Sequence, residues 1–322
     1  MKREQWVLRA ESAKMLCPGV MFLLSISGSL ALWSPEKNLF IPHVEVYWES
    51  WEDSRANYMS NMSNIPITPL GSSHGVNVVN VAFADNAKQE TCGTECITSG
   101  LNMNPDRFEA GVKEIHAKGG LVKLALGGET YGNPGKGLSL AEVPYLTQRI
   151  QRVVEKYDLD GVDIVHVRWD GPYNSQLQID RETLVIRSLR ELLPSKLISF
   201  TYPGYPTYVP TNADEIIENT HIYLDYITPH GANLEGILAL KDLGVPKEKI
   251  VWGIWNVQDC YLEKLVESTK FVRSGGYGGV SSWSINSDTA QRNNYLYGEC
   301  NEYQTGHEDG TYFNNIAFLL NG

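Results

Sequence analysis

Eight short apolar segments punctuate the chain from His43 onward, and they constrain its fold more than any other feature. They read HVEVYW from His43, VNVVNVAFA from Val76, LVKLALGG from Leu121, GVDIVHV from Gly161, LISFTY from Leu197, YLDYITP from Tyr223, KIVWGIW from Lys249 and GGVSSWSI from Gly278. Each is rich in β-branched or aromatic residues and is flanked by Gly or Pro, the pattern of parallel strands buried on both faces. Helical patterns fall between them. NPDRFEAGVKEIHAKGG has Pro105 in its first turn and Gly119 as its stop, the order expected of helix ends. LAEVPYLTQRIQRVVEKYDL and RETLVIRSLRELL repeat apolar residues three and four apart, and EGILALKDLG stops on Gly244. Eight strands alternating with helices over about 250 residues, without an internal linker, predict an α/β fold: a single (β/α)8 TIM barrel over residues 40–322. A doubly wound open sheet is the runner-up, but no Gly-rich phosphate loop follows the first strand.

The length of 322 residues is enough to bury a large core. A formal net charge of −11 argues against nucleic acid or an anionic membrane surface as partner, because such partners require clustered Lys and Arg. No run of like charges and no low-complexity tract is present.

Residues 15–34, MLCPGVMFLLSISGSLALWS, contain no charged side chain and follow Lys2, Arg3, Arg9 and Lys14. Ser29 and Ala31 have the spacing of a signal-peptidase site. Residues 1–34 are therefore expected to be a secretory signal cleaved after Ala31, or an uncleaved anchor, since about 20 uncharged residues just span a bilayer. Both readings place the barrel outside the cytosol. Four cysteines then remain. Cys92 and Cys96 bracket a short Gly-containing loop that a local disulfide would close, leaving Cys260 and Cys300 for a second bridge. Four cysteines allow three connectivities, so the pairing stays open, and no histidine nearby has zinc-ligand spacing. Asn61-Met62-Ser63 is an N-glycosylation sequon.

A barrel of this kind carries its chemistry at the C-terminal ends of its strands. At those ends the chain resembles glycoside hydrolase family 18, the chitinases and their non-enzymatic relatives, from residue 40 to about residue 290. The family's third strand ends in S-x-G-G; here ALGG runs from Ala125 to Gly128. Its fourth strand carries D-G-x-D-x-D-x-E; here DGVDIVHV runs from Asp160 to Val167. Its eighth strand ends in a Gly-rich stretch with a tryptophan, here GGVSSWSIN with Trp283, and its sixth resembles DYITPHGAN from Asp225.

The resemblance implies a mechanism that this chain lacks. Family members use the substrate's N-acetyl group as nucleophile, outside the usual two-carboxylate scheme. The last glutamate of the motif protonates the leaving oxygen, and the aspartate before it orients the acetamido group. Period-two spacing puts motif positions four, six and eight on one inward face, and here these are Asp163, Val165 and Val167. The family tyrosine of the sixth strand falls at Ala232, the position two residues before it at His230, and Asn233 matches. Losing a positioned acid removes about 10²- to 10⁴-fold of rate, so an enzyme is not expected.

The rival is an active hydrolase with a relocated acid, Glu129 or Asp170. Asp163 reads equally as a ligand contact or as a structural acid tying neighbouring strands, and His166 is expected to point toward the helices. Trp48, Trp51, Tyr131, Trp169, Tyr202, Tyr205, Trp255 and Trp283 lie at or beyond strand ends, where flat rings suit the apolar faces of sugars. Tyr47, Asp163, Glu129, Tyr202, His230, Asn233, Trp255 and Trp283 form the candidate ligand set. The expected partner is a chitooligosaccharide or another N-acetylglucosamine glycan, or else a protein that uses the barrel as a scaffold. Neither a metal nor an organic cofactor is called for.

Overall fold

The computed structural model describes residues 43–50, 61–69, 75–85, 98, 101, 103–128, 134–166, 176–204, 213–255 and 262–287, with the backbone alone at 255, 262–265 and 287. Its eight strands are β1 (His43–Glu49), β2 (Val78–Ala84), β3 (Leu121–Gly127), β4 (Gly161–Val165), β5 (Leu197–Pro203), β6 (Tyr226–His230), β7 (Val251–Trp255) and β8 (Gly279–Trp283). They close in sequence order into one parallel barrel, with β8 paired back onto β1. The described helices are α1 (Pro105–Ala117), α2 (Val143–Lys156), α3 (Gln176–Leu192), α4 (Ala213–Thr220), α5 (Leu234–Asp242) and α6 (Leu262–Gly275). This is the predicted (β/α)8 barrel.

Local chemistry sets the helix ends. Asn104 caps α1 by accepting from Asp106 N at 2.8 Å, Pro105 opens the first turn, and Gly119 follows with φ 81°. Gly244 does the same after α5 at φ 82°, a left-handed conformation that costs glycine least. β2, β6 and β7 start two or three residues later than the sequence pattern implies, and β8 one residue later. Tyr223 N still bonds Thr220 O to finish the turn after α4, and Ile250 N bonds Lys247 O in a 3-10 turn. Val76 is held in a separate bridge with Ile67. At Tyr223 and Ile250 a local turn, and at Val76 the bridge to residues 66–68, satisfies the backbone before the sheet does.

Alternation along each strand sorts the side chains into two regions. Val44, Val46 and Trp48 of β1, Val162 and Ile164 of β4, and Ile198, Phe200 and Tyr202 of β5 face outward into the main core. There they share the core with helix residues such as Phe108, Val112 and Ile115 of α1, each such side chain contributing about 1.5–3 kcal/mol by leaving water. The alternate residues face the barrel axis and build the site.

Candidate functional site

The barrel axis holds charge rather than the aliphatic layers common in such folds. Glu45 on β1 is completely buried; its carboxylate accepts hydrogen bonds from Asn80 and Tyr226 and lies 3.4 Å from Lys123 Nζ. Lys123 on β3 donates to Ser199 Oγ at 2.6 Å and sits 4.4 Å from the centre of the Tyr226 ring. Ser199 in turn donates to Asp163 Oδ1 at 2.5 Å, and Tyr47 donates to Asp163 Oδ2 at the same distance. Thr201 adds a third donor, 3.0 Å from Asp163 Oδ1. The network thus runs from β1 through β3 and β5 to β4.

Its electrostatics divide the two acids. Burial alone would raise Glu45, but Lys123, His43 and Tyr226 outweigh it and bring the carboxyl down to about 2. Burial is also the largest influence on Asp163 and raises it above the ordinary range; Glu45 reinforces that, while Lys123, Ser199 and Tyr47 oppose it. The Tyr47 phenol is pushed up by burial and then by the charges of Asp163 and Glu45, so it stays a donor. Asp163, with no exposed surface, ties β1, β4 and β5 together. These contacts are those of the structural reading of this residue.

Above this layer the barrel mouth is apolar. Tyr47, Ala82, Phe83, Ala125 and Val165 form a cluster separate from the main core, with the partly buried Trp283 packed on it. Phe83 stacks on Trp283 with ring centres 5.1 Å apart and an interplanar angle of 12°. Tyr47 lies 5.3 Å from Trp283 and edge-on to His230 at 5.5 Å. Burial lowers His230 to about 4, so at neutral pH this position offers a neutral imidazole. Val165 and Ala125, where the family motifs carry an acid and a serine, contribute only methyl groups to the cluster. Glu49 at the end of β1 accepts from Ser284, and its backbone N–H donates to Asn286 Oδ1 at 2.7 Å, fixing the chain after β8 to the first strand.

The remaining candidates disperse. Asp160 sits at the opposite end of the barrel, where Oδ2 accepts from Val122 N at 2.8 Å and pairs with His116 Nε2 at 2.8 Å. Tyr202 falls on the outward face of β5, its ring 5.9 Å from Phe200, because it alternates with Thr201. It does not belong to the mouth, and neither does Trp48, which faces outward on β1. Asn233 is the N-cap of α5, accepting from Gly236 N at 2.9 Å. Ala232 packs in the main core so tightly that a Cβ on Gly204 would lie 2.4 Å from its own Cβ, and its carbonyl accepts from Trp252 Nε1 at 3.0 Å. His166 does point to the helices, with Nδ1 2.9 Å from Glu182 on α3. Val167, Glu129, Asp170, the Trp255 side chain and Cys92, Cys96, Cys260 and Cys300 lie outside the described residues, as do residues 1–34.

Sequence reasoning pointed to the segment from Glu45 to Glu49 but missed Lys123, Ser199, Thr201, Tyr226 and Phe83. The lysine inside LVKLALGG was the available signal, since a charge in an otherwise apolar buried strand must be paired. Among the described residues no cluster of three or more His, Cys, Asp or Glu side chains could hold a metal ion.

Solved structures of a glycoside hydrolase family 18 chitinase, other chitinases and a chitinase-like protein share this closed parallel barrel, and this chain has their fold. A chitinase-like agglutinin from Robinia pseudoacacia superposes with a TM-score of 0.61 at 12% identity, over 86% of this chain and 99% of its own. A Group IV chitinase from Ostrinia furnacalis, solved with allosamidin, gives 0.59 at 14% identity over 85% and 97%. An endo-β-N-acetylglucosaminidase from Cordyceps militaris gives 0.58 at 16% identity over 87% and 91%. No protein-family model matches the sequence, and no curated protein is detectably similar to it.

Proposed function

We propose that this chain is a secreted, non-catalytic member of the family 18 lineage that binds an N-acetylglucosamine-containing or related glycan at the barrel mouth. The observation that carries the reading is the apolar layer of Ala82, Phe83, Ala125 and Val165 around Trp283. Chitinase chemistry needs a proton donor and a carboxylate to hold the acetamido group, and this layer supplies neither. The two acids beneath it are buried, one paired with Lys123 and the other bonded by three hydroxyls. Trp283 retains partial exposure, and an indole with an apolar surround suits the C–H face of a sugar. The similarity in fold to an agglutinin as well as to hydrolases agrees with binding in the absence of turnover.

Calorimetry with chitooligosaccharides and a glycan array test the proposal. Saturable binding that Trp283→Ala weakens, with no release of chromophore from a chitooligosaccharide glycoside, is expected. Turnover that Glu129→Gln or Asp170→Asn abolishes would overturn it in favour of a relocated acid. Absence of any glycan binding at millimolar concentration would leave the barrel as a protein-binding scaffold.

A further inference from the structure

The strand-linking segment between β1 and β2 carries the sole Asn-x-Ser/Thr sequence of the chain, Asn61-Met62-Ser63. The three residues are presented very differently. Met62 is buried, its side chain seated over the bare Cα of Gly111 on α1, where a Cβ would lie 3.0 Å from the Met62 sulfur. Asn61 is exposed, and its Oδ1 accepts from Ser63 N at 3.1 Å. Ser63 is half-buried, and its carbonyl accepts from Lys118 Nζ at 2.6 Å. The turn is closed by Asn64 N to Asn61 O at 3.0 Å and Ile65 N to Met62 O at 3.2 Å. With Met62 as anchor and Oδ1 turned back onto the chain, the Nδ2 end of the Asn61 carboxamide is the part offered to solvent.

We infer that Asn61 is an N-glycosylation site, an assignment that rests on the secretion reading above. The donor is an oligosaccharide linked to a lipid pyrophosphate. The bond from the sugar C1 to the pyrophosphate oxygen breaks, a bond from C1 to Asn61 Nδ2 forms, Nδ2 loses one proton, and the lipid pyrophosphate leaves. The fold gives the attached glycan room. Lys118 and Gly119 lead into β3 at Leu121, the end of that strand remote from Gly127. Asn61 therefore stands on the flank of the barrel toward the opposite end from Trp283, and a glycan there leaves the mouth clear.

The full chain expressed in insect or mammalian cells tests this, beside a form in which residues 1–34 are exchanged for a cleavable secretion signal. Both proteins are treated with an amidase that removes N-glycans, then analysed by electrophoresis and peptide mass mapping. The expected result is one glycan-sized shift with Asn61 converted to Asp, lost in Asn61→Gln and in Ser63→Ala but kept in Ser63→Thr. Glycan binding at the mouth is expected to be the same for the wild type and Asn61→Gln. Unmodified Asn61 in signal-exchanged protein recovered from the medium overturns the assignment. Modification of the signal-exchanged form alone, with the native chain held in the cytosol, supports the Asn61 assignment and overturns the secretion reading instead.

Discussion

The Tyr47 hydroxyl meets Asp163 Oδ2 at 2.5 Å, while its ring forms part of the apolar mouth beside Trp283. One side chain therefore belongs to both layers, the charged axis and the apolar rim. Removing the hydroxyl leaves the carboxylate with the Ser199 and Thr201 donors but one bond short. Tyr47→Phe should cost about 1–3 kcal/mol, the penalty for a buried polar group left short of a partner. Denaturant unfolding of Tyr47→Phe, Asp163→Asn and the double variant checks it: the two changes should be less than additive, and simple additivity would deny the coupling.

The Lys123–Glu45 pair should show the asymmetry of buried charges. Lys123→Met leaves Glu45 uncompensated in the barrel and should destabilise by about 3–5 kcal/mol. Adding Glu45→Gln should recover a large part of that loss. If both single variants unfold at the wild-type denaturant concentration, the pair does not hold the axis.

Two histidines should impose opposite pH dependences. His116 is raised by its hydrogen bond to Asp160, against a smaller effect of burial. Its contribution is therefore fully present below the unfolded histidine value of about 6.5 and is lost as pH rises through its raised folded value. The stability gap between wild type and His116→Gln should narrow on going from pH 6 to pH 9.

His230 behaves the other way, because burial lowers it to about 4. The unfolded chain takes up this proton first, so stability should fall as pH drops from about 6.5 toward 4, by up to about 3 kcal/mol. His230→Leu should flatten that limb of the unfolding curve. An acid limb identical to that of the wild type would assign the loss to other groups.

On the proposed reading, placing acids at the motif positions Val165 and Val167 should not create an enzyme. Val165→Asp would place a carboxylate among Tyr47, Ala82, Phe83 and Ala125, where an unpaired charge costs several kcal/mol or is neutralised. A further Val167→Glu adds the missing proton donor but not the tyrosine, since Ala232 is packed against Gly204. We expect a lowered melting temperature and background turnover of a chromogenic chitooligosaccharide. Turnover well above background in the double variant would show that the mouth is arranged for catalysis.

Most of the barrel was legible because each strand had to bury both faces, and that requirement writes itself into composition. The strand order follows from the alternation with helices. Which face a residue takes was legible only where the register was certain. Tyr202 looked like a rim aromatic but alternates with Thr201, and that single step sends it outward. Asp160 looked like part of a catalytic run, yet it precedes β4 and serves the backbone N–H of Val122 at the far end. Asn233 matched a motif and turned out to cap a helix, a role short polar side chains share in any sequence. The axial network joins positions as far apart as 181 residues between Glu45 and Tyr226 and 236 between Glu45 and Ser281. No local pattern encodes such a meeting; only closure of the barrel brings it about.

The cis-acting clamp at Glu49 gives the rim a particular independence. Ser284 and Asn286 anchor the stretch after β8 to the first strand through groups that lie beside Trp283 and take no part in its apolar layer. The circle is fastened there by a latch of its own. The apolar side chains around Trp283 can then be exchanged one at a time while the ring stays shut, so the surface of the mouth is free to drift without the scaffold drifting with it.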